Sequence, residues 1–158
     1  MRLRFALPLL AALACGERPA AVTADTPSCF GNRVLSFQDV TAEVVIPAGE
    51  ACDGGSFTVV FTRGTDTLAR LTESRVGTVG FIGTSDVDGD GRGEFFVATI
   101  STESSRRGAL HAYTDGASGI GAFAIAELDS AQLAGYAGHD RFGFGGGDQL
   151  VRAFPRAA

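Results

Sequence analysis

The sequence predicts an all-β fold: a mainly antiparallel, sandwich-like single domain with at most one short helix. Three observations carry this. Short runs rich in Val, Ile, Phe and Thr recur at Val44 to Ile46, Phe57 to Thr62, Val76 to Ile82, Glu94 to Ile100, Leu110 to Tyr113 and Gln149 to Phe154. Between them lies turn chemistry, at Pro47-Ala-Gly49, Gly54-Gly55, Arg63-Gly-Thr-Asp66, Asp86 to Gly93, Asp115-Gly116 and Gly145-Gly-Gly147. The length of 158 residues suits one domain and excludes a propeller, whose blades take roughly 40 to 50 residues each. Hydrophobic residues at 45% and a mean hydropathy of +0.17 argue against disorder, and 12 Phe with no Trp give a core of aromatic and aliphatic packing.

The N-terminus reads as an address. Met1 to Arg4 is cationic, and Phe5 to Ala14 is an apolar run of ten residues, about half of what spanning ~30 Å of hydrocarbon requires. The run closes in Ala12-Leu-Ala-Cys15-Gly16, which resembles the lipobox of bacterial lipoproteins. That resemblance implies cleavage after Ala14 and acylation of Cys15; an ordinary secretory signal cut near Ala14 is the other reading, and both export the protein. Residues 1–14 are therefore expected to be a signal peptide and residues 15–28, with two prolines and no periodicity, a flexible tether. Residues 29–158 are expected to form the β domain. Gly16 is not the Asp that marks inner-membrane retention in some bacteria, so the expected location is the cell envelope, lipid-anchored at the periplasmic side of the outer membrane or at the cell surface. In an oxidising compartment Cys29 and Cys52 read as one disulfide, with two free buried thiols as the alternative.

Within the domain, Phe57 to Thr62 and Phe95 to Ile100 are apolar enough to face packing on both sides. Helical signal is confined to Glu127 to Leu133, where Asp129 or Ser130 can cap one or two turns. The formal charge of -5 becomes -7 once Arg2 and Arg4 are removed, which excludes a nucleic-acid partner because phosphate neutralisation needs a basic surface.

Asp86-Val-Asp88-Gly-Asp90-Gly-Arg-Gly-Glu94 places carboxylates at positions 1, 3, 5 and 9 of a tight Gly-containing loop. Such spacing can aim several oxygens at one hard cation, and calcium takes six to eight. Position 12 is Val97 where a helix-loop-helix calcium site needs Glu, so that motif is rejected. The loop resembles the calcium loops of integrin-type propeller blades, which makes Ca2+ a possible, not a required, ligand of Asp86, Asp88, Asp90 and Glu94. A metal-free turn whose carboxylates accept backbone N–H groups is the alternative, although four acids so close repel one another without a cation.

Past this loop, Asp86 to Val97, Gly108-Ala-Leu-His-Ala-Tyr113, Gly135-Tyr-Ala-Gly-His-Asp-Arg-Phe142 and Leu150-Val-Arg-Ala-Phe-Pro155 follow in order. This series resembles the family of periplasmic inhibitors of invertebrate-type (i-type) lysozyme, over roughly Phe37 to Pro155. The resemblance implies an exported β-sandwich-like protein that is not an enzyme. It implies that a loop of Ser-Gly-x-Tyr type enters the lysozyme cleft, and that Tyr136, Gly138, His139, Asp140, Arg152, Phe154 and Pro155 are structural motif residues. At the matching place this chain has Thr102-Glu-Ser104-Ser105-Arg106-Arg107: Ser104 keeps the leading Ser, Ser105 replaces Gly and Arg107 replaces Tyr. Two adjacent Arg can instead address the carboxylate pair of a glycosidase, and a merely solvated polar hairpin is the alternative. Family members continue past Phe-Pro with a further strand, which sets the expectation of an open sheet edge here and a possible homodimer.

A catalytic reading of His139-Asp140 lacks a Ser or Cys nucleophile in a recognisable elbow. Arg152 is expected to pair with Asp140 across a hairpin around Gly145 to Gly147. A second function class remains beside lysozyme inhibition: a calcium-binding surface adhesion or interaction module built on the acidic loop.

Overall fold

Alternation of apolar and polar side chains builds the first sheet. In the computed structural model, which describes residues 33–146 and 148–156, β1 (Arg33–Phe37), β2 (Val40–Val45), β3 (Gly54–Arg63) and β4 (Asp66–Val76) form an antiparallel meander in that order. Val40, Ala42 and Val44 of β2 and Phe57, Val59 and Phe61 of β3 point to one face and are buried, while Thr41, Glu43, Thr58 and Thr62 take the other. The second sheet repeats the meander with β5 (Thr78–Ser85), β6 (Glu94–Ile100), β7 (Gly108–Gly116) and β8 (Gly119–Phe123). Its inner face carries Val79, Phe95, Val97 and Tyr113 into the same core. Phe61 is the pivot between the sheets: its ring meets Phe95 at 5.3 Å and Tyr113 at 5.6 Å between centroids, both edge-on.

Of the two runs expected to pack on both faces, only β6 does. Its seven residues are all buried. Phe96 and its neighbours on the outer face are covered by a separate two-stranded ribbon, β9 (Arg141–Phe144) with β10 (Leu150–Ala153), whose Phe144 meets both Phe96 and Phe81 at 5.9 Å. Phe123 adds an edge contact to Phe96 at 6.2 Å. In β3 the outer face is threonine-rich and half-buried instead, with Thr58 hydrogen-bonded to Thr72 across the strands at 2.8 Å.

The continuous run read at Val76 to Ile82 is two strands in different sheets. Gly77 divides them with φ +82°, and a Cβ there would lie 1.9 Å from the Ile100 carbonyl oxygen, so no side chain fits where the chain crosses. Buried Arg75 pins the crossing. Its guanidinium donates to the carbonyls of Ser56 (3.0 Å), Ala51 (2.8 Å) and Gly77, and to the Glu50 carboxylate (3.2 Å). Backbone and side-chain hydrogen bonds from Ser56, with that guanidinium, hold the Glu50 carboxyl below its usual range. The short helix α1 (Ser130–Leu133) has the expected cap: Asp129 accepts from the Gln132 N–H and Gln132 answers through a capping box. No helix among the described residues is long and apolar enough to cross a membrane.

Because Phe95 is fully buried between the sheets, Phe95→Ala lowers the unfolding free energy by about 3 to 5 kcal/mol, whereas exposed Thr72→Ala changes it by less than about 1 kcal/mol. Urea denaturation of both variants measures the contrast.

Candidate functional site

The segment from Ser101 to Arg107 joins β6 to β7 at one end of the second sheet. Ser104, Arg106 and Arg107 are exposed and Ser105 is half-buried. The loop closes on itself through Ser101 N–H to the Arg107 carbonyl (2.8 Å), Arg106 N–H to the Glu103 carbonyl (3.0 Å) and Glu103 N–H to Ser101 Oγ (3.1 Å). Arg106 sits at φ +45°, a left-handed conformation that costs a non-glycine residue about 1 to 2 kcal/mol and persists only when its surroundings enforce it.

Those surroundings are the turn from Tyr136 to Asp140. His139 N–H donates to the Ser105 carbonyl (2.6 Å) and Asp140 N–H to the Arg106 carbonyl (3.2 Å). Gly138, at φ +82°, permits the approach: a Cβ there would stand 1.9 Å from the Ser105 oxygen. His139 meets the loop through its backbone while its side chain is exposed.

Asp140 is only 5% exposed, and its carboxylate is saturated with donors. One oxygen accepts from Arg152 Nε (2.8 Å), and the other accepts from Arg152 Nη2 (3.0 Å), Gly108 N–H (2.6 Å) and the Tyr136 hydroxyl. Arg152 also reaches the Gly108 carbonyl at 3.2 Å and lies 5.5 to 6.0 Å from the ring centroids of Tyr136, Phe142 and Phe154. Burial pushes the Asp140 pKa up, but the hydrogen bonds from Arg152, Tyr136 and Gly108 outweigh it and hold the carboxyl below its usual range. The pairing expected of Asp140 and Arg152 is thus formed, and Tyr136 and Phe154, whose rings meet edge-on at 4.9 Å, enclose it. Pro155 is exposed just past β10. Gly108 and Phe142, which stand in the motif segments of the sequence but not among its expected structural residues, also belong to the cluster. Gly108 acts through its backbone, and Phe142 joins the cluster by standing opposite Arg152 in the β9–β10 register.

The acidic loop lies at the opposite end of β6. Ligand oxygens of Asp86, Asp88 and Glu94 lie within 4.8 Å of one another. Asp90 is not part of that group; its carboxylate accepts the Arg92 N–H at 2.8 Å. Asp86 accepts from the N–H groups of Gly89 (2.8 Å) and Gly91 (2.9 Å), and Asp88 from Asp90 (3.0 Å), so much of the loop's negative charge is already met by backbone donors. Glu94 is buried and accepts from Val87 N–H (2.8 Å) and Thr114 Oγ1 (3.2 Å). Burial, with Asp88 and Asp90 adding repulsion, raises its pKa. Cys15 and Cys29 lie outside the described residues.

Two face-packed meanders, an outer ribbon and a hydrogen-bonded loop at the β6–β7 end define a β-sandwich that presents a short polar loop on an ionic support. Neither a family model nor a curated protein matches the chain. Solved structures do share its fold. Aeromonas hydrophila PliI, in complex with Meretrix lusoria lysozyme, is 20% identical at a TM-score of 0.54, covering 60% of this chain and 82% of that one. PliI-Ah, the periplasmic lysozyme inhibitor of I-type lysozyme from the same species, is 19% identical at 0.54, covering 66% of this chain and 98% of that one. The fold is PliI-like.

Removing Arg152 strands a buried carboxylate, so Arg152→Ala costs about 3 kcal/mol at neutral pH. Because the Asp140 pKa is lowered on folding, its contribution is complete above the ordinary carboxyl value of 3.8 and is lost as pH falls through the lower folded value. Urea unfolding from pH 7 to pH 2 tests both, with Arg152→Ala showing a shallower acid limb than the wild type.

Proposed function

We propose that the mature chain is an exported, lipid-anchored inhibitor of an i-type lysozyme that acts by occluding the enzyme's cleft rather than by catalysis. The observation that carries this reading is the shared fold with PliI, crystallised in complex with a lysozyme, combined with an exposed loop held rigidly at the β6–β7 end. In place of an aromatic tip the loop offers Arg106 and Arg107. Guanidinium groups suit the paired carboxylates by which glycosidases work, forming charge-assisted bidentate hydrogen bonds where those carboxylates are ionised. Acylation of Cys15 would hold the protein at the periplasmic side of the outer membrane or at the cell surface, and a Cys29–Cys52 disulfide would tie the start of the domain to the segment before β3. Titration of the mature protein into an i-type lysozyme assay then abolishes turnover at micromolar excess. Arg106→Ala/Arg107→Ala weakens inhibition at least about tenfold, as expected for two charge-assisted contacts. No inhibition by the wild type at that excess overturns the reading.

A second reading, a calcium-binding module, is favoured by the convergence of Asp86, Asp88 and Glu94. A native-state ligand adds RT ln(1 + [L]/Kd) of stability, so Ca2+ raises the melting temperature of the wild type and leaves Asp86→Asn/Asp88→Asn unmoved. Equal melting temperatures in calcium and in chelator contradict it.

A further inference from the structure

We propose that Tyr136, Asp140 and Arg152 are positioning residues for the Ser101–Arg107 loop, fixing how its backbone and the Arg107 guanidinium are presented to a partner. The inference rests on the reading of that loop as the inhibitory one, and it names the side chains on which presentation depends.

The two backbone bonds internal to the loop, from Ser101 to Arg107 and from Arg106 to Glu103, close it into a turn but do not orient it on the sandwich. Orientation comes from bonds that cross to the Tyr136–Asp140 turn. His139 and Asp140 grip the Ser105 and Arg106 carbonyls at the tip, while the Asp140 carboxylate and Arg152 grip the N–H and C=O of Gly108 at the root. The peptide groups on either side of left-handed Arg106 are therefore held from the same segment. The missing Cβ at Gly138 brings that contact to backbone on backbone, so a small displacement of the turn is transmitted to the loop rather than absorbed by side chains. Tyr136 carries the same constraint outward. The Arg107 guanidinium lies 5.7 Å from its ring centroid, and the hydroxyl of that ring is bound by Asp140 and Arg152. Asp140 is too buried to touch a partner, so whatever it contributes to recognition acts through the loop.

The test uses the full mature chain with Asp140→Asn and Tyr136→Phe, neither of which alters the loop sequence. Amide hydrogen exchange is read at Gly108 and His139 against amides in β2 and β3, alongside the inhibition constant on an i-type lysozyme. In Asp140→Asn, exchange at Gly108 and His139 accelerates at least about tenfold while the core amides stay within about twofold, and inhibition weakens at least about tenfold. Tyr136→Phe keeps the ring and loses only the hydroxyl, and it shifts both readouts in the same direction by about threefold or more. The proposal is overturned if Gly108 and His139 exchange at the wild-type rate, if loop and core accelerate by the same factor, or if a loosened loop inhibits as well as before. Should Asp140→Asn fail to fold, Tyr136→Phe decides by the same comparison. Should the wild type not inhibit, the functional reading falls, while the exchange contrast still decides whether the three residues position the loop.

Discussion

A carboxylate buried beside a β-sheet remains ionised only if nearly every lone pair meets a donor, and Asp140 meets that condition by drawing three separate parts of the chain together. Arg152 comes from β10, Tyr136 from the segment after the helix, Gly108 from the first residue of β7, and Asp140 itself from the residue before β9. The ribbon, the turn and the root of the exposed loop are thus fixed relative to one another by a single ion pair and its hydrogen bonds. The aromatic rings of Phe142, Tyr136 and Phe154 lie near the guanidinium and shield it, which strengthens the pair beyond what an exposed bridge delivers.

This arrangement also explains why the ribbon exists. The second sheet buries β6 on both faces, and its outer face needs a cover that the first sheet cannot supply because it occupies the inner one. Phe144 provides the apolar cover over Phe96 and Phe81, and the Asp140–Arg152 pair fixes the strand that carries it. Packing and presentation are therefore one structure: the element that completes the core also holds the loop. The acidic loop lies at the other end of β6, where Asp86, Asp88 and Glu94 gather beside backbone donors, separated from the Arg-rich loop by the length of the strand.

Much of the fold was legible because apolar alternation survives in the buried strands. Phe57 to Thr62 and Glu94 to Ile100 declare themselves by composition alone, whereas the run read at Val44 to Ile46 catches only the end of β2, whose earlier residues Val40 to Glu43 alternate with polar side chains. The strand from Asp66 to Val76 does not, since it lies at a sheet edge and carries Arg70, Glu73 and several Thr; its strand state comes from pairing with β3. The glycine-rich strands Gly119–Phe123 and Arg141–Phe144 were hidden for the same reason. Continuity of β-branched residues around Gly77 concealed a crossing between sheets that only the close approach to Ile100 reveals. At the loop, the Asp140–Arg152 pair followed from the hairpin, but the backbone grip on Ser105 and Arg106 had no sequence signature. In the acidic loop, spacing alone did not distinguish Asp90, which turns back to the backbone, from the three acids that converge.

The central claim is that the Ser104 to Arg107 tip is the surface that meets lysozyme. Hydrogen-exchange footprinting of the chain with and without an i-type lysozyme tests it most directly. The expected result is protection confined to residues 102–107 and their immediate flank at 136–141, with the sheet formed by β1 to β4 unchanged. Protection centred on the Asp86–Glu94 loop or on the first sheet, with residues 102–107 unaffected, contradicts it.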